Sequence, residues 1–353
     1  MSDAVLVTGA FGLVGTATVE RLAADGRHVV ATDLDIEPNR RAAAKLPRGV
    51  TVRYADLTDP AAVDTLLRDV SPAAIIHLAA VIAPHCYSRH ALAQKVNVGG
   101  TANLVATAAT LPTPPRFVQA SSIAVYGPRN PHRIGDVLTA HTPVNPYDIY
   151  GAQKVEAENL VRDSTLDWVI LRLGGVLTTG ISLDINPDFV FFEGLLPTDG
   201  RIQTVDVRDV ARAFAAATTA DALGETLLIG GDDSHRLTQG DIGPATAAAM
   251  GLVGGIPIGR KGDPSSDTKW FATDWMDVTR AQEVLGFQRY SWPDMLIETA
   301  ENAGWKRPLM RVAAPVVRQV LNRRAAYYGK PGTYADPWGA VTEKWGDPRP
   351  GQQ

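Results

Sequence analysis

A single cysteine, Cys86, stands among 353 residues, which excludes an internal disulfide and any metal site built from several cysteines. It lies in Pro84-His85-Cys86 with no base placed beside it by spacing, so it reads as a partly buried thiol and not as a nucleophile. An excess of positive charge is also missing. The formal net charge is −4 and the pI near 6.0, so no global basic field draws nucleic acid. No apolar run approaches the ~18 residues of a membrane span. The N-terminus, MSDAVLVTGAFG, shows no cationic leader ahead of its first apolar run, and the expectation is a cytoplasmic protein. Internal repeats and low-complexity tracts are absent. With 45% hydrophobic residues the chain can bury a large core, as one lobed domain or two.

What is present is an alternation. Residues 4–8, 28–33, 51–56, 73–79, 116–121 and 168–173 are short, apolar and rich in β-branched side chains, which predicts strands. Amphipathic stretches near 12–25, 60–69, 90–110 and 148–164 predict helices between them, the first closed by Gly26. Strand then helix, repeated, predicts an α/β fold of the Rossmann type, a doubly wound parallel sheet with helices on both faces. Beyond Gly175 the pattern loosens into a helix near 207–219, a strand at 225–230 and helices near 238–251 and 278–286. The expected division is a dinucleotide-binding domain at 1–175, a smaller α/β substrate lobe at 176–304 interleaved with it, and a basic C-terminal extension at 305–353.

The first strand hands over to the first helix through Thr8-Gly9-Ala10-Phe11-Gly12-Leu13-Val14-Gly15. Glycines there let the backbone turn tightly and approach a pyrophosphate resting on the helix N-terminus. The Gly-x-x-Gly-x-x-Gly spacing is weak alone, but Asp33 closes the second strand, where a carboxylate accepts hydrogen bonds from the adenosine ribose and repels a 2′-phosphate. This favours NAD, while Arg40-Arg41 keeps NADP open as the alternative.

Together with these, an ordered set of motifs resembles the extended short-chain dehydrogenase/reductases, the NAD-dependent epimerase/dehydratase family that includes UDP-galactose 4-epimerase. The set adds Asp56-Leu57, His77-Leu78-Ala79-Ala80, Asn97-Val98-Gly99-Gly100-Thr101, Ser121 to Gly127, Tyr150-Gly-Ala-Gln-Lys154, Leu171-Arg172 and Val205 to Ala211. The resemblance implies that Gly9, Gly12, Leu13, Val14 and Gly15 hold the cofactor with Asp33. It also implies that Asp56 and Leu57 flank the adenine, that Leu78, Ala79 and Ala80 line the cofactor, that Asn97 supports the nicotinamide side, and that Gly174 contacts the cofactor. His77 reads as a packed strand-end residue. The resemblance further implies a homodimer.

A free phenol titrates near 10, so Tyr150 needs a nearby cation to serve as a base, and Lys154 lies one helical turn on. Asp148 is the expected N-cap, placing Tyr150 in the first turn. Tyr126 and Tyr147 have no lysine four residues later. In the family pattern Ser122 hydrogen-bonds the substrate oxygen, Tyr150 moves the proton, and Lys154 also reaches the nicotinamide ribose. A catalytically silent cofactor sensor is the reading that this pair opposes.

Sugar-nucleotide epimerases of this type carry an asparagine where this chain has Gly175, and an arginine where it has Ile202, with Arg201 one place off. Residues 181–192 are richer in apolar and aromatic groups than a sugar-diphosphate site suggests. The expected function is hydride transfer between nicotinamide and a secondary alcohol or ketone, with nucleotide-sugar epimerisation or dehydration as the alternative. From Trp305 to Lys330 there are seven basic residues and no acidic one. Pro315–Tyr328 is expected as a helix, with proline in its first turn, Gly329 as its stop, and Val316, Val317, Val320 and Leu321 on one side. Packing on its own domain or across a dimer is the expectation, with a membrane surface or acidic partner as the alternative. The segment holding Pro331, Pro337 and Pro348 is expected to be irregular, and Trp270, Trp275 and Trp292 to be packing anchors.

Overall fold

The apolar runs predicted as strands pair in parallel. The computed structural model describes residues 3–180, 186–256 and 259–351. The chain runs through β1 (Val5–Thr8), α1 (Leu13–Ala24), β2 (Val29–Asp33), α2 (Glu37–Ala43), β3 (Thr51–Tyr54), α3 (Pro60–Val70), β4 (Ala74–His77), α4 (His85–Ser88) and α5 (His90–Gln94). A π-helical turn, Lys95–Gly100, leads into α6 (Thr101–Ala108), followed by β5 (Arg116–Ser122), a 3-10 turn (Ile123–Tyr126), α7 (Ile149–Arg162) and β6 (Trp168–Leu173). Next come β7 (Gly175–Leu177), α8 (Pro187–Leu195), β8 (Arg201–Asp206), α9 (Val207–Ala217), β9 (Glu225–Ile229), β10 (Arg236–Thr238) and α10 (Gln239–Ala249). The chain ends in α11 (Thr279–Leu285), α12 (Trp292–Ala303), α13 (Arg307–Arg324) and α14 (Pro337–Trp345).

Seven strands form one sheet in the order β3-β2-β1-β4-β5-β6-β9, every pair parallel. Side chains alternate across it. Val5 and Val7 face a core with Val19 and Leu22 of α1 and Val210 and Phe214 of α9, whereas Leu6 faces the opposite core with Leu67 of α3 and Leu104 of α6. Burial on both faces explains why β1 and β4, at the centre of the sheet, are apolar almost throughout. A second sheet, β10-β8-β7, stands beyond the strand ends, and β9 returns to the main sheet, which interleaves the two halves.

Two expectations about the extension need correction. The basic helix is α13, Arg307–Arg324, and Pro315 lies inside it while Pro308 occupies the first turn. Pro315 is tolerated because it is exposed, so the carbonyl it leaves unbonded meets water. The segment expected to be irregular contains α14, in which Pro337 starts the helix and Asp336 caps it by accepting from Gly339 N at 3.1 Å. Burial of Trp338, Ala340 and Val341 fixes that helix in place. The first two-thirds of helix α8, with the half-buried or buried Phe191 and Phe192, falls within the apolar stretch noted above, whose residues 181–185 lie outside the described residues.

Candidate functional site

The glycine loop is tight by necessity. Gly9 has φ +63°, and a Cβ there would lie 2.7 Å from Ala79 N. A Cβ on Gly15 would lie 2.0 Å from the Gly9 carbonyl oxygen, so α1 begins against its own loop only because no side chain stands between. Gly12 occupies the N-cap without a side-chain partner, leaving the first helical N–H groups available to an anion. Thr8 Oγ1 accepts from Leu78 N at 3.2 Å and Ala79 N at 3.3 Å, which draws the end of β4 against the loop. Leu13 is exposed at the helix start, while Val14 and Leu78 pack on the core.

Asp33 ends β2 beside this loop and accepts from Leu34 N at 2.8 Å and Phe11 N at 3.4 Å. Burial raises its carboxyl above the ordinary range, opposed by those two bonds. Arg40 pairs with Asp35 at 2.6 Å and Arg41 with Glu37 at 3.0 Å, so both arginines already have carboxylate partners. Asp56 accepts from Thr58 N and Oγ1 at the end of β3, and Leu57 is buried next to it. A dinucleotide fits this cradle: it has room that a Cβ would fill, free helix N–H groups, and a carboxylate at the second strand end.

The second cluster sits at the ends of β4 and β5. Asp148 caps α7 as expected, accepting from Gly151 N at 2.9 Å, and its other oxygen accepts from the Tyr87 hydroxyl. Gly151, next to Tyr150, has a function that the sequence reading missed. A Cβ there would lie 2.5 Å from Ala124 O, so glycine lets the first turn of α7 press against the 3-10 turn after Ser122. Tyr150 and Ser122 are thereby brought together, with the serine hydroxyl favouring the phenolate. Lys154 Nζ donates to Ala120 O at 2.9 Å and lies 5.8 Å from the Tyr150 ring centroid.

Electrostatics here depart from the expectation. Burial raises the Tyr150 phenol, the nearby Ser122 hydroxyl opposes this, and Lys154 does not hold it down. The reason is that Lys154 is itself buried, which pushes its amine down to about 8, and its ammonium is aimed at a backbone carbonyl. Cys86 is fully buried, and its thiol is raised by that burial and by Asp148. His77 is buried with both ring nitrogens engaged, by Thr8 Oγ1 at 2.7 Å and Thr101 Oγ1 at 3.0 Å, and desolvation pushes it down to about 3. It is the packed residue that was expected. Asn97, in the π turn, spends its amide on Val81 N, Val81 O and Gln153, so it shapes the loop after β4.

Beneath the tyrosine lies a polar network that motif spacing did not reveal. Buried Glu158, one turn after Lys154, accepts from Arg172 Nη2 at 2.6 Å and Nε at 2.8 Å, from Ser121 Oγ at 2.5 Å and from Arg162 at 2.8 Å. Arg172 also donates to the Tyr126 hydroxyl at 2.7 Å. The extension takes part as well: Pro348 O accepts from Ile149 N at 2.7 Å, and Trp338 packs 4.8 Å from Tyr147 and 5.1 Å from Phe271. Tyr150 joins this aromatic cluster.

On the lobe side, Gly174 is held by Gly174 N donating to Ile229 O at 2.9 Å, and a Cβ there would lie 2.4 Å from Gln203 O. Ile202 is buried, and a Cβ on Gly175 would meet its Cδ1 at 2.8 Å. Arg201 donates to Pro131 O at 3.2 Å and stacks 4.8 Å over Trp275. Trp270 and Trp275 are anchored through their indole N–H groups to Asp263 O and Leu237 O. Among the described residues no group of His, Cys, Asp and Glu is arranged to hold a metal ion.

The chain is similar to known proteins. It is 32% identical to D-erythronate dehydrogenase of Cupriavidus necator over 183 residues, 48% of this chain and 54% of that protein. It spans about half the length of that relative and of the methionine adenosyltransferase 2 subunit beta of Bos taurus, to which it is 30% identical. Against dTDP-L-rhamnose 4-epimerase of Burkholderia thailandensis the identity is 30% over 345 residues, 86% of this chain and 90% of that one. The UDP-glucose 4-epimerase of Thermotoga maritima, solved with UDP-glucose, superposes with a TM-score of 0.69 at 20% identity, covering 87% of this chain and 99% of that one. The glycine cradle, Asp33 and the serine, tyrosine and lysine at the strand ends all fall within residues 5–182, which match one family model, and the chain belongs to the NAD dependent epimerase/dehydratase family.

Proposed function

We propose that the chain is an NAD-dependent oxidoreductase that moves hydride between nicotinamide and a secondary alcohol or ketone. The observation that carries this reading is the convergence of Ser122 and Tyr150, with Lys154 one turn on and the glycine cradle at neighbouring strand ends. Bound NAD supplies the hydride acceptor. Tyr150 takes the proton from the substrate hydroxyl, and Ser122 orients that oxygen by hydrogen bonding. Lys154 supplies the cation that favours phenolate once its contact with Ala120 O gives way to the ribose and the tyrosine. Asp33 and the ion-paired Arg40 and Arg41 support NAD over NADP. The helix N-terminus of α1 receives the pyrophosphate between Gly9, Gly12 and Gly15.

The substrate reading rests on the lobe. Ile202 and Gly175 offer no charge or hydrogen bond to a diphosphate, and Arg201 is engaged with Pro131 and Trp275. The aromatic cluster around Tyr150 suits an apolar group beside the carbinol carbon. A second reading, nucleotide-sugar epimerisation, is favoured by the near full-length match with dTDP-L-rhamnose 4-epimerase. Assay of the purified protein with NADH and NADPH against ketones and UDP- or dTDP-sugars separates them. Net oxidation of NADH by a ketone is expected, and sugar product without net oxidation would replace the first reading with the second. A cytoplasmic homodimer is the working form we infer, measurable by sedimentation velocity.

A further inference from the structure

Helix α13 packs on the protein along one side only. Ala314 and Leu321 are buried, and Met310 and Val317 half-buried, in register with them. About a third of the way round the helix runs a second apolar stripe: Trp305 in the turn before the helix, then Leu309, Val312, Val316 and Val320. These recur at steps of three and four residues, so they line up along one face. They are exposed, Val312 at 81% and Trp305 at 76%. The stripe begins beside an apolar groove of about 780 Å³ between α10 and α12, lined by Val253, Leu296, Ile297 and Ala300 and closed by Arg307. A soluble surface rarely leaves this much contiguous apolar area uncovered.

The charges around the stripe say what covers it. Lys306, Arg323 and Arg324 border it at the two ends of the helix, Arg307, Arg311 and Arg318 lie farther round, and none of the six is ion-paired among the described residues. The segment Trp305–Lys330 carries +7, which leaves −11 on the rest of a chain whose net charge is −4. A second copy of the helix laid on the first would bring like charge against like charge. An acidic bilayer surface would meet the cations with phosphates and the apolar stripe with acyl chains, and tryptophan at the helix start favours the interface. No described helix is long and apolar enough to cross a membrane, so α13 can only lie in the interfacial plane.

We propose that the exposed face of α13 docks the protein on an anionic phospholipid bilayer, with the helix parallel to the surface and the arginines at headgroup level. The negative charge on the rest of the chain then orients the molecule, because only this face is attracted.

The test is flotation of the full-length chain with vesicles of phosphatidylglycerol mixed with phosphatidylcholine, and with phosphatidylcholine alone. Binding is expected to the mixed vesicles only, and to weaken as salt rises. Arg323→Gln with Arg324→Gln should bind about thirtyfold more weakly, at roughly 1 kcal/mol per cation near the surface. Val312→Asp with Val316→Asp, both at exposed positions that leave the fold intact, should reduce binding at least about a hundredfold. Failure of the wild-type protein to float at low salt would overturn the proposal, and so would equal binding by both variants. If the valine variant instead turns a dimer into a monomer in sedimentation velocity while vesicles are ignored, the face serves self-association and the lipid proposal falls.

Discussion

Replacing Glu158 by glutamine tests whether the helix that presents Tyr150 is anchored by charge. The side chain is fully buried and receives two parallel bonds from Arg172, at 2.6 and 2.8 Å, besides those from Ser121 and Arg162. Glutamine keeps the shape but sets an amide N–H against the guanidinium, leaving Arg172 buried without a counter-charge. Removing one partner of such a pair costs about 3–5 kcal/mol. At roughly 2.1 cal/mol/K of unfolding entropy per residue over this chain, that corresponds to a fall in Tm of roughly 4–7 °C. Combining it with Arg172→Met removes the stranded cation, so the double variant should be less destabilised than the sum of the singles by about 2 kcal/mol. Urea unfolding of the four proteins completes the cycle. A single-variant cost under about 1 kcal/mol, or strict additivity, would show that the network is not what anchors α7.

Other outcomes follow from the same geometry. Gly15→Ala, whose Cβ would lie 2.0 Å from the Gly9 carbonyl, should weaken NADH binding at least about a hundredfold by fluorescence titration, since backbone must shift in the phosphate cradle. Asp33→Ala should cost NADH about tenfold or more in calorimetry and erase its preference over NADPH, as expected from losing a charged hydrogen-bond acceptor for the ribose. For Lys154 the folded pKa is pushed down to about 8 from an unfolded value near 10.5. Between those values the unfolded chain binds the proton and the folded one does not, so stability from this site rises with pH across that window. Urea unfolding free energies at pH 8 and 10 should show a rise of about 2 kcal/mol from this group, and Lys154→Met should flatten it.

Much of this site was legible in the sequence because it depends on local rules. Glycines at a strand-to-helix turn, Asp33 at a strand end, Asp148 at a helix start and the Tyr150–Lys154 spacing each announce themselves within a few residues. Contacts between distant segments did not. Glu158 and Arg172 come from different elements, and no spacing rule pairs them. Pro348, whose carbonyl accepts from the first turn of α7, lies about two hundred residues beyond it, in a stretch whose prolines suggested irregular chain. Pro337 misled because the same residue that ends a helix also begins one. The phenol of Tyr150 misled for a physical reason: adjacency to a cation lowers a pKa only where that cation remains charged and unshared, and here burial weakens it.

Whether Tyr150 moves the proton while the cradle holds the cofactor is decided by single-turnover oxidation of NADH by a reactive ketone, in the wild-type protein and Tyr150→Phe. NADH affinity is expected within about threefold of wild type, with the hydride step slowed by about 10²–10⁴. An unchanged rate in the phenylalanine variant would contradict that role for Tyr150.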